Sequence, residues 1–86
     1  MMDERELVKR CRALPSRFAD RLSPKDLADV EEFSSVGEWD EELDLLLTGL
    51  NNGGQTITAT ERDEIRALLD HMHVSHDRLN ALEVNP

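Results

Sequence analysis

Apolar residues recur at spacings of three and four along most of the chain, and that period limits the possible folds more than any other feature. Trp39, Leu43, Leu46, Leu47 and Leu50 fall at i, i+4, i+7, i+8 and i+11, with Asp40, Glu41 and Asp44 opposite them. Leu7, Cys11, Leu14 and Phe18 form a second stripe. Leu27, Val30 and Phe33 form a third, and Ile65, Leu68, Leu69 and Met72 a fourth. β-branched residues are few and scattered, Tyr is absent and aromatics make up 3% of the chain, so strands have little material and any core is aliphatic. The expectation is an all-α fold: a compact single-domain bundle of four to five short helices with a central acidic helical hairpin.

Local signals divide the bundle. Asp3 or its neighbour starts the first helix, and Pro15 is expected to break or kink it, leaving a short second piece from Ser16 to about Leu22. Ser23-Pro24 pairs an N-cap hydroxyl with a proline at the first helical position. That helix should stop near Val36, where Gly37 can take the left-handed conformation of a cap. The next helix is expected from Glu38 to about Leu50, ended by the flexible loop Asn51-Asn52-Gly53-Gly54. Thr58 to Glu61 has capping-box spacing, with Ile57 placed as a hydrophobic staple, and the helix it opens runs to about His73. Ser75 can cap a last turn carrying Leu79 and Leu82, and residues from about 83 to 86 are expected to fray.

Size and charge bound the function. A chain of 86 residues buries about 60 to 65% of its unfolded surface, enough for one domain spanning residues 1–86. Its net charge of -9 opposes direct binding to nucleic acid, whose affinity rests on Lys and Arg. With no apolar run of about 20 residues and no leader-like start, a cytoplasmic location and no membrane contact are expected. The charge is unevenly spread: residues 1–25 hold four acids and seven bases, residues 26–61 ten acids and no base, and residues 62–86 five acids and three bases. The middle third therefore carries the whole excess, and its self-repulsion costs stability.

Signals for chemistry are weak. Cys11 lies on an apolar stripe and reads as a small buried hydrophobe. His71 and His73 would point about 200° apart on one helix, which does not suit a shared metal with His76. The Asn-Asn-Gly-Gly loop lacks the Lys and Ser/Thr of a phosphate loop, and Asp40 to Asp44 lacks the glycine and terminal Glu of a calcium loop. A carrier protein would need an Asp-Ser-Leu opening its second helix, where this chain has Ser23-Pro24. No enzyme activity, cofactor or metal is expected.

The segment from Leu22-Ser23-Pro24 through the acidic helix Asp26 to Glu32, the corner Gly37-Glu38-Trp39 and the leucine-rich run Leu43 to Leu50 resembles the Maf-type (MafI-like) immunity proteins of bacterial polymorphic toxin systems. The polar loop at Asn51 to Gly54 and the Thr-opened helix Thr58 to Met72 extend the resemblance, which covers roughly residues 17 to 74. It departs from that family's pattern at Asp40-Glu41-Glu42, where a smaller, less charged stretch is usual, and in its glycine loop. The resemblance implies an immunity protein that binds a cognate toxin domain, such as a basic nuclease, and occludes its active site. From charge and helical phase alone, the candidate partner-binding residues are Asp29, Glu32, Trp39, Asp40, Glu41 and Asp44, in a monomer or weak homodimer. A different class remains open: a non-enzymatic helical adaptor that docks through apolar helix faces.

Overall fold

Three of the helices begin where a short polar side chain can satisfy their first free amides. A computed structural model describes residues 2–85 and places α1 at Glu4–Phe18, α2 at Pro24–Ser35, α3 at Trp39–Asn52, α4 at Ala59–His71 and α5 at Asp77–Asn80. Asp3 Oδ1 accepts from the Glu6 amide at 2.9 Å, and Ser23 Oγ from the Asp26 amide at 3.1 Å. Thr58 and Glu61 form a complete capping box at α4. α3 has no such cap and begins instead with three carboxylates, Asp40, Glu41 and Glu42, in its first turn, where the helix dipole favours negative charge.

The stripes read from sequence become one core. Leu7, Cys11, Leu14 and Phe18 of α1 meet Val30 of α2, Leu43, Leu46, Leu47 and Leu50 of α3, and Ile65, Leu68 and Leu69 of α4, all at or near zero exposure. α2 packs chiefly on α3. Gly49 permits their close approach: a β-carbon there would stand 3.1 Å from both Asp26 Oδ2 and Leu22 Cδ2. Between the two helices Gly37 takes φ 75°, the left-handed cap expected of it. The radius of gyration, 11.8 Å, matches the roughly 12 Å of a compact chain this long.

Four local expectations are corrected. α1 runs through Pro15 to Phe18 without a break, and only Ala19–Arg21 tighten into a 3₁₀ turn. Leu14, Pro15 and Phe18 are all buried, so core packing holds the last turn despite the one missing amide. The helix α3 continues to Asn52, with Gly53 as its cap. Ile57 is fully buried but is no staple, since the matching position in α4 is Arg62; it belongs to a short strand instead. That strand, β1 (Thr56–Ile57), pairs in parallel with β2 (Glu83–Val84), joining Thr56 to Glu83 and Ile57 to Val84. The Asn85 amide adds a bond to the Ile57 carbonyl at 2.8 Å, so residues 83–85 are tied down where fraying was expected, and Pro86 lies outside the described residues.

Candidate functional site

The acidic hairpin and the basic first helix do not neutralise each other. Among the described residues, the paired cations of α1 and the turn after it find partners outside the hairpin: Arg10 with Glu6, Arg17 with Glu64 of α4, and Arg21 with Glu61 of α4. Arg5, Lys9 and Arg12 form no ion pair among the described residues; the Arg12 guanidinium stands 6.0 Å from the Trp39 ring centroid, at the edge of cation–π range.

The six candidate residues do not share one environment. Asp44 meets Arg78 of α5 at 2.6 Å, and Asp29 meets Lys25 one turn earlier at 3.4 Å, so two hairpin carboxylates do have a counter-ion. Trp39 is half-buried against the core and folds back over Gly37, whose β-carbon position lies 3.6 Å from the indole. Glu32, Asp40 and Glu41 are exposed and without an ion pair among the described residues, and Glu31 and Glu38 join them in that state. These five carboxylates flank the α2–α3 corner, where Val36 is 65% exposed. An exposed aliphatic side chain on a turn flanked in sequence by exposed carboxylates suits an apolar contact with a charged rim.

One carboxyl of the acidic run points the other way. Glu42 is fully buried and neither of its oxygens has a hydrogen-bond partner. Burial pushes its pKa up to about 8, and the nearby Ser34 hydroxyl of α2 opposes that rise without a hydrogen bond of normal geometry. Glu42 in turn lifts the Cys11 thiol, which burial chiefly drives to about 12, leaving it an unreactive hydrophobe. The sequence did hold a signal for Glu42: it follows Trp39 by three and precedes Leu46 by four, inside the apolar stripe. Grouping it with its acidic neighbours hid that phase.

A shallow, open groove of about 620 Å³ lies between α1 and α2 beside this corner, bounded by Arg12, Pro15, Ala19, Leu27, Glu31 and Ser34 among others. At the far end of α4, His76 Nε2 lies 2.6 Å from Asp70 Oδ1, and His73 takes φ 57° just past the helix. Among the described residues no three His, Cys, Asp or Glu side chains are grouped to hold a metal, and no helix is long and apolar enough to cross a membrane. No family model matches the chain, and neither a curated protein nor a solved structure does.

Proposed function

We propose that this is a non-enzymatic binding protein of the immunity type, whose α2–α3 corner docks on a basic partner and occludes it. One observation carries the reading: among the described residues Glu31, Glu32, Glu38, Asp40 and Glu41 stand exposed without counter-ions on either side of the α2–α3 corner that holds Val36, although Arg5, Lys9 and Arg12 of α1 are also without an ion pair among those residues. Such a surface steers a Lys/Arg-rich partner at high on-rates and can take the place of phosphates in a nuclease cleft. The partner in this reading is the toxin domain encoded beside the protein, and the protein acts in the compartment where that toxin is made.

Co-expression with the product of the adjacent gene tests it, scored by growth and by co-purification. Rescue with a stable complex is expected, with an association rate that falls steeply between low and moderate salt. Reversing Glu38, Asp40 and Glu41 to Lys should preserve the helical circular-dichroism signal and cost at least tenfold in on-rate. Growth unaffected by the neighbour and no complex would end the immunity reading. A salt-independent association would favour the helical adaptor, joined through apolar faces.

A further inference from the structure

Of the four long helices only α3 starts without a side-chain cap, so its first turn is held by the side chains it buries. Within residues 39–42 two side chains do this, three positions apart on one face: Trp39, half-buried against the core, and Glu42, with no exposure at all. Glu42 is a poor fastening. Neither of its carboxyl oxygens has a hydrogen-bond partner among the described residues, whereas buried polar groups in folded proteins nearly always do. A neutral carboxyl can be held there at moderate cost, but an ionised one has nothing to offset the loss of water. The groups around it supply no compensation. α1 brings the Cys11 thiol and Arg12, whose guanidinium is turned to the Trp39 ring; α2 brings the uncharged Ser34 hydroxyl, with Glu31 and Glu32 exposed; α4 brings apolar Ile65, Leu68 and Leu69 to the core. On α3 itself Glu38, Asp40 and Glu41 are exposed carboxylates that oppose a further negative charge.

We propose that Glu42 is a proton-controlled latch: protonated, it keeps the first turn of α3 closed, and on ionisation residues 38–42 swing out about Gly37, carrying the carboxylate and the Trp39 indole into solvent while the rest of the bundle stays folded. Gly37, at φ 75°, gives the corner a backbone pivot, and the proton passes to solvent. Opening adds an indole to the corner that already exposes Val36, so the closed and open forms present different surfaces there. An exposed carboxyl of this type titrates near 4.5 and burial pushes the closed one up to about 8. The open fraction therefore rises with pH between those values, by up to about tenfold per unit, and levels off above 8.

Trp39 is the one tryptophan of a chain without tyrosine, so its fluorescence reports on this turn alone. The test is quenching of the full chain by acrylamide, a neutral probe, from pH 5 to 9, beside amide hydrogen exchange corrected for the intrinsic effect of pH. In the wild type the quenching constant should rise at least twofold by pH 8.5. The Glu42 and Leu43 amides should lose protection by up to tenfold per pH unit, while those of Leu68 and Leu69 in α4 keep theirs. Glu42→Gln, which cannot ionise, should flatten both profiles, and Glu42→Leu should do the same if the glutamine variant folds poorly. Glu41→Gln removes an exposed neighbouring charge and should leave the wild-type slope in place. Flat wild-type profiles, or an equal slope in Glu42→Gln, would overturn the latch. So would a parallel loss of protection in α4, which means unfolding of the whole bundle, or a slope lost equally in Glu41→Gln, which means general repulsion.

Discussion

Glu61 and Glu42 are both buried glutamates in the first turn of a helix, and they have opposite fates. Glu61, on α4, accepts two bonds from Arg21, at 2.7 and 2.8 Å, and one from the Thr58 amide at 2.9 Å. Arg21 itself lies 4.4 Å over the Phe18 ring, fixed between α1 and α4. The arginine holds the Glu61 carboxyl down at about 2, against the opposing effect of burial. Glu42, on α3, has no such partner and sits at about 8. Burial alone therefore does not decide a carboxyl's charge; the cation opposite it does.

The largest effect is expected from removing the satisfied member. Glu61→Ala breaks the capping box and strands Arg21, and should destabilise the fold by about 3 kcal/mol in urea unfolding. A loss under about 1 kcal/mol would mean that Arg21 finds water at no cost, and the contrast would collapse.

Glu42→Gln should do the reverse and stabilise by about 2 kcal/mol at pH 7, since the wild-type acid must take up a proton to be buried there. The two acids have opposite pH signatures. The folded Glu42 pKa lies above its usual 4.5, so its contribution is fully present below pH 4.5 and is lost as pH rises to about 8. The folded Glu61 pKa lies below 4.5, so its contribution is present above pH 4.5 and is lost as pH falls toward 2. Together they set a stability maximum near pH 4.5 to 5, lower than most proteins show. Melting curves from pH 3 to 9 measure it, and the gain from Glu42→Gln should grow by at most about 1.4 kcal/mol per pH unit from 4.5 to 8. A gain that does not change with pH would show that Glu42 is ionised in the folded protein.

A smaller effect belongs to the exposed corner. Its carboxylates repel one another, so raising salt from low to moderate concentration should lift the melting temperature by a few degrees at pH 7. An unchanged midpoint would mean the repulsion is already screened. Arg78→Ala should change stability least, within about 0.5 kcal/mol, because its pair with Asp44 is largely exposed.

Much of this was readable from local chemistry. Ser23-Pro24, Gly37 and the Thr58-Glu61 box mark boundaries because each acts within four residues, and the apolar stripes named most of the core, with Leu27, Trp39 and Met72 only packed against it and Phe33 outside it. The failures are of longer range. Pro15 was read by its local cost, which packing of Leu14 and Phe18 outweighs. The β1–β2 pair joins residues 27 positions apart, and no local pattern marks two strands of two residues each. At the candidate site, the phase of Glu42 was present in the sequence, but its missing counter-ion was not. Which hairpin acids are neutralised depends on Arg78, which reaches Asp44 from 34 residues away.

The parallel pairing of β1 with β2 also has a bearing on biosynthesis. Leu79 and Leu82 fill the core and Asn85 holds the Ile57 carbonyl, so the bundle is not closed until residue 85 has left the ribosome. Helices α1 to α4 can assemble as the chain emerges, but they do so with an open seam that residues 79–85 must seal. A chain that stops after about residue 76 would lack Leu79 and Leu82 and leave the core leucines they cover exposed, a natural substrate for proteolysis.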